Sequence, residues 1–236
     1  MPSATVRISS RSAGSAHSSA SRPLRPFELV IFDCDGVLVD TERATVEAES
    51  EFLTELGWKL TPAQVADLFL GRTDDYMRRV ITERLPDLPA DWEQLLDERY
   101  LAVQGDLLSV DGIVEALDTI SIPTCVASSG THEKMRRTLG ATGLWDRFEG
   151  RIFSTTEVEH GKPAPDLFLH AAARMGADPG ACAVVEDSPF GIEAANAAGM
   201  RSFAYAGGIV PAERLREADV VFDDMRELPR LLAAGA

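Results

Sequence analysis

The chain has few cysteines and no pattern that would put them to use. Cys34, Cys125 and Cys182 are the only three among its 236 residues, and no two of them form a CxxC pair. An odd number of cysteines without such a pair predicts neither a disulfide framework nor a zinc site. We therefore expect three small, buried hydrophobic side chains in a reduced protein.

Long apolar runs and basic residues are also scarce. No apolar stretch is long enough to cross a membrane. The formal net charge of −15 argues against nucleic acid or an anionic membrane as a partner, because both bind basic surfaces. An anionic ligand of any kind would then have to be attracted by a local positive site. No secretory hydrophobic region is present, so we expect a cytoplasmic protein.

What remains is the composition of a soluble globular protein. Hydrophobic residues make up 45% of the chain and charged residues 26%, enough for one substantial core with a smaller insertion. Residues 1–26 differ from the rest: they are rich in Ser, Ala and Arg, and they hold no acidic residue. A transit peptide, a disordered tail and a start codon placed too far upstream all fit this composition; we expect a disordered tail.

The most informative segment is an apolar run that ends at two carboxylates. Leu29 to Phe32 is followed by Asp33, Asp35 and Gly36. Such a run predicts a buried parallel strand, and ligands of open α/β sheets bind just beyond the carboxyl ends of these strands. An ordinary polar turn is one alternative. A calcium loop of the EF-hand type is another, but it requires a further oxygen ligand before the glycine and a helix upstream.

The rest of the chain divides into a helical block and a block of alternating strands and helices. Helical patterns cover Thr41 to Gly57, a segment starting at Thr61-Pro62, Thr73 to Leu85 and Asp91 to Gly105. Beyond residue 108, five strands are predicted, at Thr124 to Ala127, Arg151 to Ser154, Cys182 to Val185, Arg201 to Tyr205 and Val220 to Phe222. Helices are predicted between them at Asp111 to Ile120, His132 to Leu139, Pro165 to Met175, Pro189 to Ala198 and Pro211 to Ala218. This alternation predicts an α/β fold with a doubly wound, mainly parallel, Rossmann-like sheet formed by residues 27–42 and 108–236.

Four segments, in order, resemble the four motifs of the haloacid dehalogenase superfamily of phosphoryl-transfer enzymes. They are Asp33 to Thr41, Cys125 to Gly130, Gly161 to Asp166, and Ala183 to Gly199. The resemblance runs from about Phe27 to the C-terminus. It implies that residues 43–107 are the small α-helical cap domain that many members insert after the first motif.

The resemblance also implies the reacting groups. Asp33 would attack phosphorus and form an aspartyl-phosphate intermediate. Asp35 would protonate the leaving oxygen and then accept a proton from the hydrolytic water, which is general acid–base work.

Further residues would bind the phosphoryl group and the substrate. By the same resemblance, Ser128 would hydrogen-bond a phosphoryl oxygen, aided by the backbone N–H groups of Ser129 and Cys34, and Lys162 would balance the negative charge. Ser129 and Thr41 are expected to contact the substrate. A strand-end or helix-capping hydroxyl is the alternative for Ser128, and a solvated loop residue is the alternative for Lys162.

A magnesium ion is expected among four carboxyl groups, those of Asp33, Asp35, Glu186 and Asp187. Without a cation their mutual repulsion would raise their pKa values, and paired acids directly after an apolar strand are costly unless they bind something. Mg²⁺ is the usual ion at phosphoryl sites. The resemblance makes Asp33 and Asp187 side-chain ligands and Asp35 a backbone-carbonyl ligand, and Glu186 would act directly or through water.

Several functions compete. The first is a Mg²⁺-dependent phosphatase of a small phosphorylated metabolite. The segment Ile122 to Arg137 is similar to the second motif of the sugar-phosphate phosphatases, in particular of the 6-phosphogluconate phosphatase type. A β-phosphoglucomutase-like transferase shares all four motifs, but its cap histidine is replaced here by Thr45. Dehalogenase chemistry, the third enzymatic possibility, does not require a Mg²⁺ site, and Asp35 and the pair Glu186-Asp187 argue against it. A non-catalytic phosphate-binding protein such as a receiver domain has its acids, hydroxyl and lysine in a different order and has no cap.

Substrate choice is expected to reside in the cap. The segment Leu70 to Asp74 is the candidate specificity loop, with Arg72 pairing a substrate carboxylate or hydroxyls. A surface arginine near a helix start is the alternative. His132 and Lys134 are expected to border the entrance of the site. We expect a monomer or a weak homodimer.

Overall fold

A computed structural model describes residues 7–8, 26–69, 74–103 and 107–235. In this part of the chain, seven strands form one sheet in the order β1-β7-β6-β5-β2-β3-β4. The strands are β1 (Arg7–Ile8), β2 (Leu29–Phe32), β3 (Thr124–Ser128), β4 (Ile152–Ser154), β5 (Cys182–Glu186), β6 (Arg201–Tyr205) and β7 (Val220–Phe222).

The sheet is parallel apart from one edge. β2 is flanked by β3 and β5, with Ile31 opposite Cys125 on one side and Val184 on the other. All four residues of β2 are buried, as expected of a strand covered on both faces. Among the described strands, only β1 runs antiparallel, along β7. The predicted mainly parallel sheet is confirmed, and its parallel strands all end at the same edge.

A helical block follows β2 and has a hydrophobic cluster of its own. Its helices are α1 (Thr41–Glu55), α2 (Pro62–Phe69), α3 (Asp74–Arg84) and α4 (Trp92–Val103). The buried members of that cluster include Phe52, Leu53, Val65, Ile81 and Leu96. A separate core is what the predicted cap domain requires, while its limits at residues 43 and 107 stay a prediction. Arg72 lies outside the described residues.

Further helices cover both faces of the sheet. One face carries α5 (Ile113–Thr119), α6 (His132–Ala141) and α7 (Trp145–Phe148), and the other carries α8 (Asp166–Met175) and α9 (Pro189–Ala197). A last helix, α10 (Leu228–Gly235), packs on the first face. Alternate residues of β2 serve the two cores: Val30 and Phe32 belong to the first, Leu29 and Ile31 to the second. This arrangement confirms the doubly wound fold.

The structure differs from expectation in the segments after β6. The helix predicted over Pro211 to Ala218 is wrong, since only a three-residue 3₁₀ turn, Ala212–Arg214, is found there. Leu215 and Ala218 are the buried apolar positions of that segment, which gives a longer helix too small a face to bury. α7 and α10 were not predicted.

The N-terminal segment also contains a pairing that the sequence did not predict. Arg7 and Ile8 pair with Val221 and Val220, within the tail that was expected to be disordered. An edge strand offers unpaired N–H and C=O groups, and β7 offers them here.

The cysteines were expected to be small, buried side chains. The three cysteines are free and buried, as predicted. Within the described ranges, no helix combines the length and apolarity that crossing a bilayer demands.

Candidate active site

Four polar residues meet where the central strands end. Asp33 follows β2, Ser128 ends β3, Glu186 ends β5, and Asp187 comes next. Their exposed fractions are 7%, 1%, 1% and 4%. Because β3, β2 and β5 are parallel neighbours, their carboxyl ends lie side by side, and the structure brings these predicted residues together.

Lys162 enters this cluster from the loop before α8. Its Nζ contacts Asp33 Oδ1, lies 2.6 Å from Glu186 Oε1, and donates to the Ala127 carbonyl at 3.2 Å. The side chain is 6% exposed, and its ammonium lies 5.0 Å from the centre of the Phe168 ring. Lys162 is therefore a buried partner of two carboxylates, and the alternative of a solvated loop residue is wrong.

The electrostatics of the cluster show a shortage of positive charge. Burial raises the pKa of Asp33 to about 7, against the attraction of Lys162. Burial also raises the pKa of Asp187 well above its usual value, and the charges of Glu42 and Glu186 add to this. Burial lowers the pKa of Lys162, but the attraction of Asp33 and Glu186 outweighs it and raises that pKa. One ammonium does not balance this many buried carboxylates.

The residues present fit a divalent cation. Asp187 Oδ2 is buried and has no hydrogen-bond partner. Gly36, at φ +75°, lets the backbone approach this carboxyl so closely that an added Cβ would lie 1.9 Å from Asp187 Oδ2. A set of oxygen donors without its own counter-charge suits a hard ion such as Mg²⁺. In the described part of the chain, no three His, Cys, Asp or Glu side chains are grouped to hold a metal. The implied set needs only two, Asp33 and Asp187, plus the backbone carbonyl of Asp35.

Glu186 has both carboxylate oxygens engaged. Oε1 accepts from Lys162, and Oε2 accepts from the N–H groups of Asp187 and Ser188, at 3.1 and 3.0 Å, and from the Ser188 hydroxyl at 2.8 Å. The sequence left open whether Glu186 would bind a metal directly or through water. These hydrogen bonds favour the indirect role.

Asp35 lies two residues beyond Asp33 and has a different partner. Its Oδ2 accepts from Lys134 Nζ at 2.7 Å, and its Oδ1 is buried without a hydrogen-bond partner. Lys134 lies in the first turn of α6. The sequence placed Lys134 at the entrance of the site and missed its contact with Asp35; its place in the helix that follows the second motif was the available signal.

The hydroxyl groups at the end of β3 and in the turn after it have different contacts. Ser128 is buried at the strand end, and its Oγ accepts from the N–H of Gly130 at 3.0 Å. The N-cap of α6 is Thr131, whose hydroxyl accepts from the N–H of Lys134, so the helix-capping alternative for Ser128 is wrong. Ser129 is exposed, and Thr41 is half-buried as the first residue of α1.

Glu42 is a carboxyl group that the sequence reading missed. It is half-buried in the first turn of α1, and its Oε2 is buried without a partner. Burial, and then the charges of Asp35 and Asp40, raise its pKa to about 7. The available signal was its position directly after the first motif.

A cavity adjoins this side of the site. Its volume is about 250 Å³, and its lining includes Gly36, Asp40, Glu42, Arg43 and Tyr205. Asp40 and Arg43 form an ion pair at 2.8 Å. The cavity separates the start of α1 from the end of β6.

Comparisons with known proteins agree with this geometry. Residues 27–199 match the family described as haloacid dehalogenase-like hydrolase. A probable pseudouridine-5′-phosphatase from Drosophila melanogaster is 34% identical over 77% of this chain and 83% of its own length. The 6-phosphogluconate phosphatase of Escherichia coli is 29% identical over 88% and 95%. The fructose-1-phosphate phosphatase of the same bacterium is 33% identical over 72% and 92%.

Solved structures show the same likeness. A family hydrolase from Deinococcus radiodurans with bound phosphate and sodium has a TM-score of 0.81 and 29% identity, over 89% of this chain and 96% of its own. A provisional β-phosphoglucomutase from Thermotoga maritima has a TM-score of 0.75 and 25% identity, over 88% and 99%. The chain therefore belongs to the haloacid dehalogenase-like hydrolase family, and it is an enzyme of the phosphatase kind within it.

Proposed function

We propose that this phosphatase is Mg²⁺-dependent and hydrolyses a small phosphorylated metabolite, a sugar phosphate by class, through an aspartyl-phosphate on Asp33. One observation carries the proposal. Asp33 is a buried carboxyl at the end of the central strand, held by Lys162, with the carboxyl of Asp35 two residues further on. That pair supplies a nucleophile and a separate proton donor, the two groups that this kind of phosphoryl transfer requires.

The reaction proceeds in two steps on the chain's own residues. In the first, a carboxylate oxygen of Asp33 attacks phosphorus, the bond to the leaving oxygen breaks, and Asp35 protonates that oxygen. In the second, Asp35 takes a proton from a water molecule, whose oxygen attacks phosphorus and releases inorganic phosphate and free Asp33. Throughout, Lys162 stays protonated and offsets the charge of Asp33 and the phosphoryl group.

Other residues hold the phosphoryl group and the cofactor. Ser128 and the N–H groups of Ser129 and Cys34 would bind phosphoryl oxygens. Asp33, Asp187 and the Asp35 carbonyl would hold Mg²⁺, with Glu186 acting through water. When bound, the ion supplies positive charge to the phosphoryl oxygens.

Substrate contacts and the setting of the protein stay predictions. Thr41 and Arg72 would touch the leaving group. The relatives that act on pseudouridine 5′-phosphate, 6-phosphogluconate and fructose 1-phosphate support a small sugar-type metabolite as substrate. The cytoplasmic location and the monomeric or weakly dimeric state also stay predictions.

A phosphomutase is the second candidate, supported by the likeness to the provisional β-phosphoglucomutase. Thr45 occupies the position of the cap histidine that such mutases use. We therefore expect hydrolysis rather than transfer back to the sugar.

The test is phosphate release from a panel of esters with Mg²⁺ and with EDTA. The panel contains the three substrates named by the relatives and phosphoglycolate, and isomerisation of β-glucose 1-phosphate is followed in parallel. We expect Mg²⁺-dependent release from at least one sugar phosphate. Isomerisation without net phosphate release would replace the proposal with the mutase.

Asp33→Asn tests the covalent step. The change keeps the shape of the side chain and removes the nucleophile, so turnover should fall to background with an unchanged circular dichroism spectrum. Asp146→Asn is the matched control, because Asp146 is an exposed acid in α7, and its activity should equal that of the unsubstituted chain. Retained activity in Asp33→Asn would refute the aspartyl-phosphate.

A further inference from the structure

We propose that Lys134 is a positioning residue that fixes the carboxyl of Asp35, so that Oδ1 is the oxygen that exchanges the proton in both steps. The inference rests on the proposed function. The two oxygens of Asp35 have different surroundings. Oδ2 accepts from Lys134 Nζ at 2.7 Å, whereas Oδ1 is buried and has no hydrogen-bond partner.

The buried oxygen without a partner, Asp35 Oδ1, is the atom that a reactant would contact. A buried acceptor without a hydrogen bond is unfavourable, and native structures leave few of them. In the working enzyme, a substrate oxygen or the hydrolytic water would satisfy Asp35 Oδ1. Because Lys134 occupies Oδ2, the carboxyl has one oxygen left for that contact.

Lys134 is restrained by contacts of both its backbone and its side chain. Its backbone N–H donates to the hydroxyl of Thr131, the N-cap of α6, at 3.2 Å. Its alkyl chain passes close to Gly130, where an added Cβ would lie 3.3 Å from Lys134 Cδ. The segment that runs from Ser128 at the end of β3 into the first turn of α6 therefore carries both the phosphoryl-binding hydroxyl and the lysine that contacts Asp35.

Among the cations of the described residues, Lys134 is the one whose ammonium contacts Asp35. Lys162 is already held by Asp33 and Glu186. The Lys134 side chain is 40% exposed and that of Asp35 is 26% exposed, so the pair borders the entrance rather than the deep cluster. Exposed ion pairs contribute little to stability, which leaves the orientation of Asp35 as the main consequence of this contact.

Lys134 takes no part in the proton transfers of either step. In the first step, Asp35 Oδ1–H gives its proton to the leaving oxygen as the bond from phosphorus to that oxygen breaks and the bond to Asp33 forms. In the second step, Oδ1 takes a proton from water as the water oxygen bonds to phosphorus and the bond to Asp33 breaks. Lys134 neither gives nor takes a proton in either step.

The experiment compares kcat/KM for two esters in Lys134→Met and in the unsubstituted chain. One ester is the best sugar phosphate of the panel, whose alkoxide must be protonated; the other is p-nitrophenyl phosphate, whose phenolate leaves without a proton. Since general acid catalysis contributes about 10²–10⁴-fold, loss of its alignment should lower kcat/KM for the sugar phosphate at least about ten-fold. For p-nitrophenyl phosphate we expect a change under about three-fold.

A double variant tests whether Lys134 acts through Asp35. In the Asp35→Asn background the acid is already absent, so Lys134→Met should change kcat/KM for the sugar phosphate by less than about two-fold. Lys134→Arg, which keeps the charge but not the shape, should recover part of the loss. Arg137→Met is the matched control on the same helix, because Arg137 pairs with the exposed Glu133 at 2.9 Å, and its kinetics should be unchanged.

The outcomes separate the inference from the function beneath it. Equal losses on both esters, or a full further loss in the Asp35→Asn background, would overturn the positioning role. Lys134→Gln is measured alongside, and thermal unfolding of each variant shows whether a loss reflects misfolding. No phosphate release from either ester by the unsubstituted chain would overturn the proposed function itself.

Discussion

At the scale of single residues, the site keeps carboxyl groups where burial opposes their charge. Asp33 and Asp187 are both buried, and their pKa values are raised by that burial. Lys162 compensates Asp33 and Glu186 directly, but Asp187 has no cation in contact within the described chain and keeps Oδ2 without a hydrogen bond. A buried carboxyl group without a counter-charge lowers stability, a cost that natural proteins accept mainly at functional sites.

Asp187→Asn should therefore stabilise the protein and inactivate it. The amide keeps the size of the side chain and removes a carboxyl group whose ionisation is opposed by burial and then by the charges of Glu42 and Glu186. In metal-free buffer at pH 8, we expect Tm to rise by roughly 2–8 °C, taking about 2–4 °C for each kcal/mol in a chain of this size. Turnover should fall at least about 100-fold, and Mg²⁺ should no longer raise Tm.

Differential scanning fluorimetry with and without Mg²⁺ measures both effects. Asp146→Asn again serves as the control, since the same chemical change at an exposed position should leave Tm within about 1 °C. A lower Tm for Asp187→Asn in metal-free buffer would show that the carboxylate is already compensated. A retained Mg²⁺ response would remove Asp187 from the metal site.

At the scale of elements, the strand ends are closely packed against the helices that follow them. Gly191 lies in the first turn of α9, and its N–H donates to the capping hydroxyl of Ser188 at 3.0 Å. A Cβ on Gly191 would lie 1.9 Å from both Cδ and Oε1 of Glu186. Glu186 has no freedom to yield, since it is buried and hydrogen-bonded through both oxygens.

Gly191→Ala should accordingly displace Glu186 and loosen Lys162. We expect Tm to fall by roughly 2–12 °C, since overpacking a buried position costs about 1–3 kcal/mol. Turnover should fall at least about ten-fold. Gly140→Ala in α6 is the matched control, because a Cβ there has no neighbour within 4 Å and should leave stability unchanged or raise it by up to about 1 kcal/mol. Equal behaviour of the two variants would contradict the account of Glu186.

Elements of the core could be predicted because each leaves a local pattern. β2 is a run of four buried apolar residues. Because the carboxyl ends of parallel strands lie at the same edge of a sheet, the sequence also predicts which residues neighbour Asp33. The contact between Lys134 and Asp35 joins residues 99 positions apart. The place of Lys134 after the second motif indicates a position near the site, but it does not identify Asp35 as the partner. Glu42 reads locally as an ordinary first-turn acid of a helix. The roles of these site residues stay predictions until activity is measured.

At the scale of the whole molecule, acidic residues outnumber basic ones, and this excess also holds for the site at the ends of the central strands. The chain carries a formal net charge of −15, and the pKa values of Asp33 and Glu42 are each raised to about 7. A carboxyl group with a raised pKa in the folded state stabilises the fold fully below its unfolded pKa, near pH 4. This contribution is lost as the pH rises towards the folded pKa.

The metal-free protein should consequently lose stability between about pH 4.5 and pH 7.5, and Mg²⁺ should reduce that loss. The free energy of unfolding, from urea titrations at several pH values with EDTA or with Mg²⁺, measures the slope. Glu42→Gln removes one raised group and should flatten the metal-free curve, whereas Glu47→Gln, on the exposed side of α1, should not. A metal-free stability that rises across this pH range would mean that the central carboxyl groups are already paired, and the site would then have no need of a cation.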